Sequence, residues 1–195
     1  MAFEFFIHPI SAPEAFCRRM PNMKSLIGMT ILTAAAFLIA PASQAALIKY
    51  TANLTGAAQE PPTGSPGTGT AVVGFDNVKH VLSIAVTFTG LSSNTTVAHI
   101  HCCTAMPGVG TADVATTTPT FPGFPAGVTS GSYDMTFDTS LEGSWNAAFI
   151  TANGGTTSGA EAALAAALAA GKAYFNLHTS AFPPGEIRGF LTAVP

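Results

Sequence analysis

The sequence has little charge and few cysteines. Only 9% of the 195 residues are charged, and residues 46–195 carry four basic against eight acidic side chains. A nucleic-acid partner is therefore disfavoured, because binding to phosphates needs a basic surface. Past the N-terminal region the only cysteines are the adjacent Cys102 and Cys103. A framework of several disulfides is thus excluded there, and about 150 residues are enough to bury a hydrophobic core without one.

Common catalytic motifs are also lacking. The chain has no G-x-S-x-G motif, no glycine loop that would cradle a phosphate, and no Cys-His-Asp set. Paired carboxylates of the kind that glycosidases use are not evident either.

A leader is predicted at the N-terminus. Lys24 precedes an apolar run, 26–40, and small residues follow at Ser43 and Ala45. This is the pattern of a secretory signal peptide, and the run is shorter than the roughly 20 residues that a membrane-spanning helix needs. We expect 1–45 to be an N-terminal extension with a cleaved signal peptide, leaving a single secreted or periplasmic domain without a membrane span.

That domain, 46–195, is predicted to be all-β. Apolar and polar residues alternate in short segments separated by Gly, Pro, Asn and Thr, as in half-buried antiparallel strands. The predicted strands are 48–55, 68–76, 80–89, 96–102, 132–138, 145–151, 173–178 and 186–193. About eight strands in this length fit a β-sandwich of two packed sheets.

One short helix is predicted near 159–170. Ser158 and Glu161 have the spacing of a capping box, and Gly171 stands where a left-handed residue ends a helix. The residues between them are mostly alanine, with a narrow apolar stripe. We expect this helix to lie over one edge of a sheet.

The tripeptide His99-Ile100-His101 indicates a metal site. Residues two apart on a strand point to the same face, so both imidazoles would project together. His178 ends another predicted strand and would complete a three-histidine site for copper or zinc. The alternative is a partly exposed polar strand face that binds no metal.

Cys102 and Cys103 follow His101 directly. Two thiols in an exported protein tend to oxidise, so a vicinal disulfide is the leading hypothesis for this pair. Thiolates that assist a copper site, or two buried unpaired thiols, are the alternatives.

A third candidate site combines a carboxylate and a guanidinium. Glu186 and Arg188 are two residues apart on a predicted strand, and Glu60 in Glu60-Pro61-Pro62 is a candidate partner for Arg188. Such a polar group either orients a ligand or holds a neighbouring loop, and the spacing alone favours the structural role.

The order of several motifs resembles the CHRD domain, the module named from chordin and common in exported bacterial proteins. The matching segments are LTGAAQEPP (54–62), GTG (67–69), GL (90–91), AHIH (98–101), YFNLHT (174–179) and GEIRG (185–189). The resemblance implies an extracytoplasmic, immunoglobulin-like β-sandwich without an established catalytic activity. The chain departs from the family pattern at Cys102 and Cys103, where Gly followed by a small residue or Pro is usual.

A weaker similarity is to copper/zinc superoxide dismutase, a Greek-key sandwich with an H-x-H strand and a later His. That similarity implies copper on His99, His101 and His178 and an anion-attracting role for Arg188. Two main hypotheses follow. The first is a secreted, non-enzymatic module that binds an extracellular ligand or surface component and carries a histidine metal patch. The second is a copper-binding protein or a dismutase-like copper enzyme.

Overall fold

The computed structural model describes residues 47–195. The predicted leader, 1–45, lies outside these residues. Within the described part of the chain, no helix is long and apolar enough to cross a membrane.

Residues 47–195 form eight strands and two helices. The strands are β1 (Ile48–Thr55), β2 (Thr68–Asp76), β3 (Val81–Thr89), β4 (Thr95–Cys102), β5 (Gly131–Asp138), β6 (Ala173–Thr179), β7 (Ile187–Phe190) and β8 (Thr192–Ala193). Helices α1 (Ala147–Ala152) and α2 (Thr157–Ala169) lie between β5 and β6 in the chain. Single 3-10 turns occur at Gly56–Ala58 and Glu142–Ser144.

All the strand pairs are antiparallel and belong to one sheet. Its order is β4-β6-β7-β1-β2-β3-β5, with β8 also beside β1. The sheet curls into a half-barrel, so that the ring of Phe121 contacts both Phe175 on β6 and Phe137 on β5, with centroids 6.0 and 5.5 Å away. The mostly-β class and the number of strands agree with the sequence prediction, but the division into two separate packed sheets is not observed.

The core lies on the concave side of this sheet. On β3 the alternating residues Leu82, Ile84, Val86 and Phe88 are all buried, as their spacing predicts. Helix α2 adds Leu164 to the same core.

The prediction of a strand at 145–151 is wrong, since α1 begins there. Asn146 caps the helix, and its side chain accepts a hydrogen bond from the Ala148 amide. The helix is only six residues long, which is too short for a 3.6-residue period to be distinguished from strand alternation. Trp145 and Phe149 stack against each other in the core, with centroids 6.0 Å apart.

Helix α2 matches the predicted helix, but the predicted capping box is wrong. Thr156, and not Ser158, caps α2 by accepting a hydrogen bond from the Gly159 amide. Glu161 is buried and turned away from the helix terminus, with its carboxylate bound to Thr139 and His80. Gly171 follows the helix in the left-handed conformation that its position predicted.

Candidate functional site

Strands β4 and β6 carry the candidate metal ligands. His99 pairs with Asn176, and His101 pairs with Tyr174, across the two antiparallel strands. His178 lies two residues beyond Asn176 and therefore projects from the same face. Their neighbours on the strands, such as Ile100, enter the apolar core on the opposite face. We call His99, His101 and His178 the His cluster.

The three imidazoles of the His cluster converge. One ring nitrogen from each residue lies within 4.8 Å of a nitrogen of the other two. The ring centroids are 5.4 to 5.9 Å apart. The residues are only 5 to 8% exposed, because β6 is an inner strand and loops cover this face of the sheet. The partly exposed polar strand face considered from the sequence is therefore not what the structure has.

Loop carbonyls fix the orientation of each imidazole. The contacts are from His99 Nε2 to the Pro119 carbonyl oxygen at 2.7 Å, from His101 Nδ1 to that of Ala112 at 2.8 Å, and from His178 Nδ1 to that of Pro183 at 2.8 Å. A carbonyl only accepts hydrogen bonds, so each of these nitrogens carries the proton and donates. The tautomer of every ring in the cluster is thereby determined.

The second nitrogen of each ring has no partner. His99 Nδ1, His101 Nε2 and His178 Nε2 are all buried without a hydrogen bond. Buried polar atoms are nearly always paired. Among residues 47–195, three of the four buried side-chain atoms without a partner belong to the His cluster. This arrangement fits a metal site, since metal-ligating histidines commonly donate their other N–H to a carbonyl.

Burial also keeps these imidazoles neutral. It lowers the pKa of His99 and of His101 to about 4, against a smaller upward effect of their hydrogen bonds to backbone carbonyls. Burial lowers the pKa of His178 in the same way. Only a deprotonated imidazole nitrogen binds a metal, so the cluster is ready for one at neutral pH without losing a proton.

The His cluster is nearly closed to solvent. A cavity of about 450 Å³ on the same side of the sheet is bordered by His101, but its lining includes neither His99 nor His178. Tyr174, Phe182 and Arg188 are among the residues that line this cavity. The cavity is therefore beside the cluster, and its opening does not expose the three unpaired nitrogens.

Arg188 and Glu60 meet at this cavity. Arg188 Nη2 lies 3.4 Å from Glu60 Oε2, and the guanidinium carbon is 4.8 Å from the centroid of the Tyr174 ring. Arg188 also donates to the carbonyl oxygens of Ala58 and Gly110, while Glu60 accepts from the Gly110 amide. The pair thus holds two loops together at the rim, with Arg188 buried and Glu60 exposed.

Glu186 does not contact Arg188, although the sequence places them two residues apart. Its carboxylate accepts hydrogen bonds from Ser65 Oγ, the Ser92 amide and Thr179 Oγ1, at 2.5, 2.5 and 2.6 Å. Burial raises the pKa of Glu186, but these hydrogen bonds together outweigh burial and bring the pKa below its usual value. Glu186 is therefore a buried anion that ties three segments together.

Cys102 and Cys103 form a disulfide. Cys102 alternates with His101 on β4 and packs in the apolar core, whereas Cys103 is exposed. The disulfide sulfurs are therefore not available to the His cluster as thiolate ligands.

Sequence reasoning missed Asn176, Gln59 and the role of Tyr174. The Asn176 amide accepts a hydrogen bond from Gln59 Nε2 at 2.7 Å, and both side chains are buried. The sequence did contain a partial signal for two of these residues. Tyr174, Asn176 and His178 are spaced two residues apart on one strand, so their side chains must share a face.

Comparison with known proteins gives one family. The family model described as the CHRD domain matches residues 50–191, which include every candidate site residue named above. No curated protein and no solved structure matches the chain.

Proposed function

This chain belongs to the CHRD family, and we propose that it is an exported, non-enzymatic binding module that holds a metal ion with His99, His101 and His178. Two observations carry the proposal: one ring nitrogen of each histidine lies within 4.8 Å of a nitrogen of the other two, and each ring has one buried nitrogen without a hydrogen bond. A role limited to local hydrogen bonds would account for only one nitrogen of each ring.

The closed environment of the cluster favours retention of a metal over catalysis. A catalytic metal keeps an open coordination position where substrate enters, whereas a structural or storage site closes its shell. The three unpaired nitrogens are buried. The loop between β4 and β5 holds His99 and His101, and the loop between β6 and β7 holds His178. A bound ion would therefore connect β4 and β6 beneath these loops and stabilise the face that they cover.

The cavity beside the cluster is the surface that we assign to an extracellular ligand or surface component. It combines apolar walls, including Phe182 and Pro184, with the Glu60–Arg188 pair at its rim. Pockets that bind small ligands have this composition, with a few polar groups in a mostly apolar lining. The predicted leader, 1–45, would place the domain outside the cytoplasm, where such ligands occur.

The alternative is a copper-binding protein or a dismutase-like copper enzyme that uses the same histidines. Its supporting observation is that Tyr174 contacts both the His101 ring and the Arg188 guanidinium, so a cation lies near the cluster. Arg188 is already bound to two carbonyls and to Glu60, which limits its use for attracting an anion.

The test is the metal content of the exported protein, purified without an affinity His tag. Copper and zinc titrations would compare the wild type with His99→Ala and with His80→Asn, which changes a histidine outside the cluster. We expect about one metal ion per chain, lost in His99→Ala and kept in His80→Asn, with both variants folded by circular dichroism. Equal and negligible metal binding by all three proteins would reject the metal site. Metal together with superoxide turnover would favour the enzyme.

A further inference from the structure

All the donors of the His cluster are uncharged. The cluster consists of three imidazoles, and no carboxylate belongs to it among residues 47–195. The cost of transferring an ion from water into a low-dielectric site rises with the square of its charge, so a divalent ion costs about four times as much as a monovalent ion of the same size. A buried site without an anionic ligand therefore favours a monovalent ion.

The nearby acidic side chains do not offset the higher cost of burying a divalent ion. Glu60 is paired with Arg188, and the Glu186 carboxylate is bound by three hydrogen-bond donors. Asp113 acts on His101 through space, but it is exposed to solvent and its charge is screened. The two charges of a zinc ion would thus be poorly compensated.

The number of donors also favours a monovalent ion over zinc. Structural zinc sites are almost always four-coordinate. In the part of the chain that the structure describes, only three His, Cys or acidic side chains converge here. Cys102 cannot serve as a fourth ligand, because it is in a disulfide and packs on the opposite face of β4. The unpaired nitrogens have almost no solvent-accessible surface, which disfavours a water molecule as the fourth ligand. Copper(I) binds imidazole and is stable with three nitrogen donors.

We propose that the His cluster is a three-coordinate copper(I) site. This inference rests on the proposed metal-binding function and adds to it the charge and coordination number of the ion. The protein would then retain copper in its reduced form, because copper(II) prefers a tetragonal set of nitrogen and oxygen donors.

Competition titrations test the proposal on the exported protein. Copper(I) would be titrated without oxygen against bicinchoninate, and zinc against a colorimetric chelator, with His178→Ala as the variant that lacks one ligand. We expect one copper(I) per chain, a Kd for copper(I) at least about 100-fold below that for zinc, and loss of tight binding in His178→Ala. X-ray absorption of the copper-loaded protein should give three nitrogen neighbours.

A variant that adds a negative charge tests whether the lack of an anionic ligand causes the preference for copper(I). Asn176→Asp places a carboxylate opposite His99. Its Oδ1 can still accept from Gln59, whereas the hydrogen bond that Asn176 Nδ2 donates to the Pro184 carbonyl is lost. We expect this change to shift the ratio of the two affinities toward zinc by about 10-fold or more. An unchanged ratio in a folded Asn176→Asp protein would contradict the charge argument.

The outcomes separate the two proposals. Zinc binding as tight as copper(I), or a fourth ligand at copper, would overturn the copper(I) inference and leave the metal site intact. Failure of both ions to bind would overturn the metal-binding function as well. The wild-type titration decides this even if Asn176→Asp does not fold.

Discussion

The rings of His101 and Tyr174 stack face to face across β4 and β6, with centroids 4.9 Å apart and an angle of 13° between their planes. The Tyr174 hydroxyl donates to the Ala112 carbonyl, and that same carbonyl accepts the N–H of His101. Tyr174 also lies under the Arg188 guanidinium. One side chain thus links the His cluster to the rim of the neighbouring cavity.

We expect Tyr174→Phe to weaken metal binding and to leave the fold intact. The ring stack would remain, but Ala112 would lose the hydroxyl that helps to hold its carbonyl against His101. Loss of such a supporting contact typically lowers metal affinity by about 10-fold to 100-fold. Titration would compare Tyr174→Phe with Tyr50→Phe, a buried tyrosine on β1 away from the cluster. Equal affinity in the two variants would show that the hydroxyl does not position His101.

We expect Glu186 to make a large, pH-dependent contribution to stability. Its folded-state pKa is lowered, so the contribution is complete above the unfolded pKa of about 4.3 and is lost as the pH falls through the folded pKa. Near neutral pH, Glu186→Ala should lower the free energy of unfolding by about 3 kcal/mol, because three donors lose a charged acceptor.

Urea unfolding from pH 7 to pH 3 measures this effect. The exposed Glu142→Ala is the matched control and should change stability by less than about 0.5 kcal/mol. A Glu186 variant as stable as the Glu142 variant at pH 7 would show that the buried carboxylate is dispensable.

The His80–Glu161 pair should have the opposite pH dependence. The hydrogen bond to Glu161, at 2.8 Å, raises the pKa of His80. Stability from this pair is therefore complete below the unfolded pKa of about 6.5 and is lost as the pH rises through the higher folded pKa. We expect His80→Asn to destabilise the protein more at pH 6 than at pH 9, as measured by urea unfolding. Asn is chosen because His80 has a φ of 56°.

Lys79→Gln is the control for this comparison. It removes a neighbouring positive charge that lies near Asp76, and not near Glu161. We expect its effect to be the same at both pH values. A pH-independent effect of His80→Asn would mean that the pair is not ionic.

The Cys102–Cys103 disulfide should resist alkylation but contribute little to stability. Because this disulfide joins adjacent residues, the entropy that it removes from the unfolded chain stabilises the fold by only about 1 kcal/mol. A disulfide that closes a 15-residue loop contributes about 3 kcal/mol. Mass spectrometry after iodoacetamide should find both cysteines unlabelled unless a reductant is added first. Free labelling of the native protein would exclude the disulfide, and a large loss of stability in Cys102→Ala/Cys103→Ala would contradict the entropic estimate.

Most strands were predictable because each buries one face or both against a single core. The alternating segments of β1, β2 and β3 gave bounds that agree with the structure to within a residue. The predicted strand 186–193 is divided into β7 and β8 at the buried Leu191, which an apolar pattern cannot reveal. The half-barrel itself depends on which strands pair, and pairing between distant strands leaves no local signal.

The candidate site was predictable only where strand geometry decides it. The two-residue spacing of His99 and His101 fixes a common face, and that face is observed. The spacing of Glu186 and Arg188 suggested a pair, but Glu186 precedes β7 and binds Ser65, Ser92 and Thr179 instead. The carbonyls that orient the imidazoles come from loops, whose positions follow from tertiary packing.

The place of β6 between β4 and β7 also determines when the His cluster can form. The chain completes β4 early, then β5 and both helices, and supplies His178 only near its C-terminus. A nascent or partly translocated chain that ends before β6 contains His99 and His101 but lacks His178. It also lacks the strand that pairs with β4. Under the proposed metal-binding function, metal capture would be coupled to completion of the sheet, and the ion would be drawn from the compartment in which the last strands fold.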